Sequence, residues 1–243
     1  MIYLDNSATT RTLDIAADTA AQYMKADFFN PAAAYSAAVE VERNINSARA
    51  RLAGAIHAQS DEIIYTSGGT ESNNMAIFGA LRARRGGGRI IVGATEHPSV
   101  YEAAMSMKGP YVINEARVDK TGTYDVNVLA QSIANDVAFV SVMQVNNETG
   151  AINDIPAIYK AVKQRAPMAI MHVDGVQGFL KVPFDARYCD MYSISGHKFH
   201  APKGVGALYV KRGTRFAGGQ IGGGQERNLR SGTTNTPGIM GMD

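Results

Sequence analysis

Cysteine is nearly missing from this sequence, and so is an excess of charge of either sign. Cys189 is the only cysteine among 243 residues, which excludes an intrachain disulfide and fits a reducing compartment. The 24 Lys and Arg residues against 22 Asp and Glu residues leave a formal net charge of +2, too small to favour nucleic acid or an anionic membrane as a partner. No apolar run approaches the ~20 residues of a membrane span, and Asp5 argues against a signal peptide, so we expect a cytoplasmic protein.

What the sequence contains is an alternation of short apolar runs and amphipathic segments. Hydrophobic residues make up 45% of the chain, which is typical of a globular protein of this length with one large α/β domain. One helix is predicted from Ser36, a candidate N-cap, to Gly54, a candidate stop. Further helices are predicted at 70–84, 99–107, 126–133 and 154–165, and strands at 62–66, 89–93, 111–114, 138–143, 168–173, 191–195 and 206–210. This alternation predicts a three-layer α/β sandwich with a mainly parallel sheet.

The residues directly after each strand are the first candidates for a site, because ligands of such sheets bind beyond the carboxyl ends of the strands. Residues 67–73 follow a strand with a glycine turn and a helix start, which favours an anion such as phosphate, although Ser67 or Thr70 could simply cap the helix. His97 follows the next strand and could stack on a planar cofactor, move protons, or cap a helix. Asn146 and Asn147 suit either a ligand or an ordinary turn.

Two later strand ends carry an acid and a lysine. Asp174 ends one buried strand, where a carboxylate needs a cationic partner, and Lys198 follows another. Together they suggest pyridoxal phosphate, which requires a Schiff-base lysine and a carboxylate beside the pyridine nitrogen; the alternative for Lys198 is a surface lysine. The dispersed histidines and missing cysteine pairs do not favour a metal site. The basic run 84–89 could contact nucleic acid, but a solvated loop is the favoured interpretation.

Seven ordered motifs resemble the class V, fold-type-I pyridoxal-phosphate enzymes, and among them the NifS/IscS-like cysteine desulfurases. The motifs include the runs TSGGTESN, TEHP, NNETG, DGVQ and SGHK, and they occupy residues 3–10, 66–73, 95–98, 146–150, 174–177, 195–204 and 222–233. The resemblance implies that residues 1–243 form the cofactor-binding large domain. It also implies conversion of L-cysteine to L-alanine with an enzyme-bound persulfide, a homodimer, and a sulfur-acceptor protein as in iron–sulfur cluster assembly.

The resemblance also implies a role for each matching residue. Lys198 would form the Schiff base and move the Cα proton, and His97 would stack on the ring and assist proton transfer. Asp174 would pair with the pyridinium nitrogen, and Gln177 would bond the phenolic oxygen. The remaining cofactor-binding residues would be Gly69, Thr70, Asn147, Ser195 and His197, together with Thr233, which would reach the phosphate of the neighbouring subunit.

The sequence departs from the family pattern in two respects. Family members continue into a small C-terminal domain with a catalytic cysteine and a carboxylate-binding arginine, and we expect both to be absent here unless Arg227 or Arg230 replaces the arginine. Cys189 lies six residues before Ser195, roughly 20 Å from the phosphate end of a strand rising ~3.3 Å per residue, so it is expected to be a core residue. Residues 30–35 also lack the usual Ser/His-containing loop.

Three alternatives therefore remain open beside a cysteine desulfurase. The same scaffold could serve a selenocysteine lyase or a cysteine sulfinate desulfinase. The chain could also be a non-catalytic cofactor-binding polypeptide that acts with a separate C-terminal chain, or a piece of an ordinary enzyme.

Overall fold

The computed structural model describes residues 2–243 and contains an α/β arrangement of helices and strands. In chain order the elements are α1 (Asp14–Lys25), α2 (Ser36–Gly54), β1 (Ile63–Thr66), α3 (Gly69–Arg82), β2 (Gly88–Gly93), α4 (Pro98–Met105), β3 (Tyr111–Ala116), α5 (Val126–Ser132), β4 (Val137–Met143), α6 (Ile155–Arg165), β5 (Ile170–Asp174), β6 (Met191–Ser195), β7 (Gly206–Val210) and α7 (Thr236–Met242). No helix in residues 2–243 is long and apolar enough to span a bilayer.

The strands form one sheet in the order β1-β7-β6-β5-β4-β2-β3. All pairs from β3 across to β6 are parallel, and β7 is antiparallel to both of its neighbours. The register pairs Met143 with Asp174 and Asp174 with Ser193, so the carboxyl ends of β4, β5 and β6 meet at one edge of the sheet. The predicted mainly parallel sheet is confirmed, and this edge is where the predicted site residues should converge.

Helices cover both faces of the sheet, as the three-layer prediction requires. Successive strand residues point to opposite faces, and Ile63 and Ile64 accordingly belong to different hydrophobic clusters. One cluster joins the sheet to α3 and α4, and the other joins it to α2, α5, α6 and α7. Because both faces are buried, the strands read as continuous apolar runs in the sequence.

Two helices were not predicted from the periodicity, α1 and α7. They pack closely, since a Cβ added at Gly241 of α7 would lie 2.7 Å from the Ala16 carbonyl oxygen and 3.1 Å from Ala20 Cβ. A second difference concerns α2, where Tyr35 and not Ser36 occupies the N-cap position.

A polar row crosses the middle of the sheet beneath the site edge. His172 is fully buried on β5, with Nδ1 2.8 Å from Ser141 Oγ on β4 and Nε2 2.9 Å from Ser193 Oγ on β6. Burial lowers the pKa of His172 to about 3, so the imidazole is neutral at physiological pH. The row satisfies both ring nitrogens and connects three parallel strands just below Asp174.

Candidate functional site

A cavity of about 550 Å³ opens at the carboxyl ends of β4, β5 and β6. Nine of the ten predicted site residues line it: Gly69, Thr70, His97, Asn147, Asp174, Gln177, Ser195, His197 and Lys198. These residues come from five separate chain segments, and the parallel strands bring them to one place.

One wall of the cavity is the start of α3. Gly68 is the N-cap with a φ of +146°, and no side chain caps the helix, so the capping alternative for Ser67 and Thr70 is wrong. The Ser67 amide instead donates to Glu71 Oε2 at 2.6 Å. Ser195 is buried below the turn, with its Oγ 3.6 Å from the position of a Cβ on Gly68. Uncapped amides at a helix start beside a serine hydroxyl form an anion-binding surface.

Gly69 is held in a tight contact that a side chain would disturb. A Cβ at this position would lie 2.7 Å from Val176 Cγ2. We therefore expect Gly69→Ala to destabilise the fold by about 1–3 kcal/mol through overpacking, and Gly69→Ala/Val176→Ala to recover most of that loss. Thermal or urea unfolding of the two variants measures this coupling.

Gly54→Ala is the matched control, because a Cβ at Gly54 meets nothing within 4 Å. This control should leave the free energy of unfolding unchanged or slightly raised. If Gly69→Ala and Gly69→Ala/Val176→Ala were destabilised equally, Val176 would not be the side chain that limits the space at residue 69.

Asp174 sits at the bottom of the cavity and is 2% exposed. Its Oδ1 accepts from the Val176 amide at 2.9 Å and its Oδ2 accepts from Asn73 Nδ2 at 2.9 Å. Burial raises the pKa of Asp174, while these two hydrogen bonds, His97 and Lys198 act against that rise. Within residues 2–243 no cation forms an ion pair with this carboxylate, so its expected cationic partner is not supplied by a side-chain contact.

Lys198 is held by the N-terminal segment of the chain. Its Nζ donates to the carbonyl oxygens of Ser7 at 2.6 Å and Ala8 at 2.8 Å. Desolvation lowers the pKa of Lys198, and the charges of Asp174 and Asp5 partly offset this effect. A lowered pKa makes the neutral, nucleophilic amine more accessible.

The same segment contacts two further site residues. Gln177 Nε2 donates to the Ser7 carbonyl at 2.7 Å, and His197 Nδ1 lies 3.0 Å from Thr9 Oγ1. Lys181 Nζ donates to Gln177 Oε1 at 3.2 Å. This contact fixes the amide orientation of Gln177, so that its NH₂ group is directed to acceptors at the cavity.

His97 caps a helix and also lines the cavity. Its Nδ1 accepts from the Ser99 amide at 3.1 Å and lies 2.8 Å from Ser99 Oγ. The capping alternative considered for His97 is therefore correct, and it fixes the ring at the cavity wall. Asn146 is buried beside it and donates to the Thr95 carbonyl at 3.0 Å, which connects the loop before α4 to the loop that carries Asn147.

Four other residues considered in the sequence lie outside this cavity. Thr233 is exposed and does not line it. Arg227 donates to the Ile63 carbonyl, and Arg230 pairs with Glu71 at 2.7 Å, so neither replaces a carboxylate-binding arginine here. Cys189 is fully buried in the core, as expected, and burial raises the pKa of its thiol.

Sequence reasoning missed several lining residues. Ser7 and Ala8 contribute backbone carbonyls, which leave no side-chain signal, although the motif at residues 3–10 pointed to this segment. Asn73 lies one helical turn after Gly69, so both residues are on the same face of α3. This spacing is the sequence signal that could have identified Asn73 as a lining residue. Its Oδ1 is buried and has no partner within residues 2–243.

Comparison with known proteins identifies the family. The Aminotransferase class-V family profile matches residues 2–243. A cysteine desulfurase of Nostoc sp. is 40% identical over 100% of this chain, and a cysteine desulfurase IscS of Dictyoglomus turgidum is 40% identical over 99%. This chain spans 61% and 62% of those two proteins.

Solved structures agree with the sequence comparison. A NifS-like protein superposes with a TM-score of 0.95 at 35% identity, covering 99% of this chain and 67% of its own. SspA in complex with cysteine superposes with a TM-score of 0.94 at 30% identity, covering 100% of this chain and 71% of its own. The resemblance seen in the motifs is thereby confirmed, and the chain belongs to the class-V aminotransferase family.

Proposed function

We propose that this chain is the pyridoxal-phosphate-binding part of a cysteine desulfurase, and that residues 1–243 form its cofactor-binding domain. The observation that carries the proposal is one cavity lined by Lys198, by the buried carboxylate of Asp174 and by the uncapped start of α3. A nucleophilic amine, a carboxylate and an anion-binding turn are the three features that this cofactor requires.

The chemical groups that line the cavity match those that pyridoxal phosphate needs. Asp174 has no ion-pair partner within residues 2–243, and a protonated pyridine nitrogen would supply one. The turn at Gly69, with Thr70, Ser195 and His197, offers donors to a phosphate, and Gln177 and Asn147 offer amide donors. The unpaired Oδ1 of Asn73 adds an acceptor in the same wall.

When bound, pyridoxal phosphate supplies an aldehyde for a Schiff base with an amine and a ring that withdraws electrons from the substrate Cα. Lys198 would provide the amine and would take or return the proton at Cα. His97 contributes a ring at the cavity wall, with Nδ1 committed to Ser99 and Nε2 left for the cavity. The negative charge of Asp174 would keep the nitrogen of a bound cofactor protonated.

L-cysteine is the proposed substrate, because the relatives are cysteine desulfurases and one structural neighbour is SspA in complex with cysteine. The products would be L-alanine and a persulfide on a cysteine thiolate. Comparing the turnover of L-cysteine, L-selenocysteine and L-cysteine sulfinate distinguishes this reaction from the two related lyases.

Deuterium exchange at Cα tests the proposal on this chain, because it needs proton transfer but no attacking thiolate. We expect the cofactor-loaded chain to incorporate deuterium into the Cα position of L-alanine and L-cysteine in D₂O, measured by NMR. Lys198→Ala should abolish the exchange. Absence of exchange in a chain that has bound the cofactor would contradict the proposed role of Lys198 and leave a non-catalytic binding function.

Cys189 is expected to take no part in sulfur transfer. Its thiol is fully buried, and burial raises its pKa well above the ordinary value, so the thiolate that attacks sulfur is disfavoured. We expect little sulfide from L-cysteine with this chain, no change in Cys189→Ala, and no reaction of the native thiol with a disulfide reagent until the chain unfolds. Rapid sulfide release that disappears in Cys189→Ala would identify Cys189 as the nucleophile instead.

The partners are also proposals. A homodimer follows from the role that the family resemblance gives to Thr233, whose exposure leaves it available to a second subunit. Sedimentation of a cofactor-loaded monomer would count against the dimer. A sulfur-acceptor protein and a cytoplasmic location follow from the family reaction and from the single cysteine.

A further inference from the structure

A second cavity, of about 320 Å³, lies at the amino-terminal edge of β5. Five cationic side chains and one carboxylate line it: Arg84, Lys163, Lys211, Arg212, Arg215 and Asp190. The whole chain carries a formal charge of only +2, so this concentration of positive charge is local. It shares no lining residue with the cavity that contains Lys198, which lies at the carboxyl ends of the strands.

Two of these cations are neutralised by acids of the protein. Lys163 Nζ lies 2.6 Å from Asp190 Oδ2, and Arg212 lies 2.7 Å from Asp61. Lys211 donates only to neutral oxygens, the Tyr159 hydroxyl at 3.3 Å and the Arg187 carbonyl at 3.5 Å.

Arg84 and Arg215 are the cations without a counterpart. Neither side chain makes an ion pair or a hydrogen bond within residues 2–243, and Arg84 Nε is buried with no acceptor. A buried donor without a partner is unfavourable, so this nitrogen needs an acceptor that the described residues do not supply.

The backbone holds Arg215 against the end of α3. A Cβ on Gly79 would lie 2.3 Å from the Phe216 ring, and the Ala217 amide donates to the Gly79 carbonyl at 3.0 Å. Arg84 follows the last turn of the same helix. Arg84 and Arg215 are therefore carried by backbone segments that meet at the end of one helix, and both side chains line the cavity.

We propose that this basic cavity binds a phosphate-bearing small molecule, with Arg84 and Arg215 on the phosphate. Guanidinium groups match phosphate oxygens with paired hydrogen bonds, and Lys211 adds a third cation. The other walls, which include Ala80 and Met168, are apolar and suit an organic portion of the ligand. The small volume of the cavity and the low net charge of the chain favour a small molecule over a polynucleotide.

Calorimetric binding of AMP and of inorganic pyrophosphate to the pyridoxal-phosphate-treated chain tests this proposal. We expect Arg84→Gln/Arg215→Gln to weaken binding of at least one probe by about tenfold or more, as expected for lost charge-assisted contacts. Arg43→Gln/Arg11→Gln removes two exposed positive charges elsewhere on the chain and should change the affinity by less than about twofold.

Arginine labelling with phenylglyoxal locates the bound probe. AMP or pyrophosphate should protect Arg84 and Arg215 but not Arg43, as read by mass spectrometry of peptides. Equal losses of affinity in both double variants, protection spread over all surface arginines, or tighter binding of single-stranded DNA than of either small probe would overturn the proposal. Absence of binding by both probes would overturn it as well.

Discussion

Lys198→Ala is expected to abolish the borohydride-reducible adduct between this chain and pyridoxal phosphate. Lys198 lines the main cavity, and desolvation lowers its pKa, so its amine is the one placed to attack an aldehyde there. Phosphopyridoxyl incorporation after reduction, measured by intact mass, should fall from about one per chain to background, because a single Schiff-base lysine holds the cofactor.

Lys203→Ala is the control for this result. Lys203 lies five residues further along the chain and is exposed, and it does not line the cavity. Its replacement should leave incorporation unchanged. Full incorporation that persists in Lys198→Ala would show that another lysine anchors the cofactor.

Asp174→Asn is expected to have opposite effects on stability and on cofactor binding. In the cofactor-free chain the carboxylate is buried without a cation, so the amide should leave the free energy of unfolding at neutral pH unchanged or raised. Loss of the negative charge should weaken pyridoxal phosphate binding on the order of 10–100-fold, because a charge-assisted contact is removed. Thermal unfolding and spectroscopic titration measure the two effects.

The pH dependence follows from the direction of the pKa shift. Burial raises the pKa of Asp174, so the folded chain binds this proton more tightly than the unfolded chain. The contribution of this group to stability is therefore most favourable at acid pH, and it is lost as pH rises from the ordinary carboxyl pKa of ~3.9 through the raised value. Asp174→Asn should remove this dependence.

Asp18→Asn removes an exposed carboxylate of α1 and should alter neither stability nor cofactor affinity appreciably. If Asp174→Asn strongly destabilises the cofactor-free chain, the carboxylate contributes to the fold in a way that its two neutral donors do not explain. Unchanged cofactor affinity in that variant would contradict the assigned partner of the pyridinium nitrogen.

The sequence was sufficient to predict the elements of the sheet and the side chains at its carboxyl edge. Apolar strands bounded by glycine and polar residues are strong local signals, and all seven predicted strands are present. The end of a strand is also a local signal in the sequence. His97, Asp174 and Lys198 could therefore each be predicted as site residues from their positions at or just after a strand end.

The parts that were missed depend on contacts between distant segments. The helices α1 and α7 pair residues from the two ends of the chain, and α7 has only seven residues with two glycines and a proline. Lys198 donates to the backbone carbonyls of Ser7 and Ala8, which precede it by 191 and 190 positions in the chain. No pattern of side chains reveals such contacts. The Asn73 donor to Asp174 was missed for the same reason, because it is a neutral amide 101 positions away on α3 where a cation was expected.

Peptide mapping of the reduced adduct shows which lysine carries pyridoxal phosphate. The chain is incubated with pyridoxal phosphate, reduced with borohydride and digested, and the phosphopyridoxyl group is located by tandem mass spectrometry. We predict a single modified residue, Lys198. Its labelling should be lost when pyridoxal, which lacks the phosphate, replaces the cofactor at the same low concentration, because the anion-binding turn at Gly69 then has no ligand. Modification distributed over exposed lysines, or concentrated on a lysine outside the cavity at the carboxyl edge of the sheet, would contradict the assignment of Lys198 as the Schiff-base lysine.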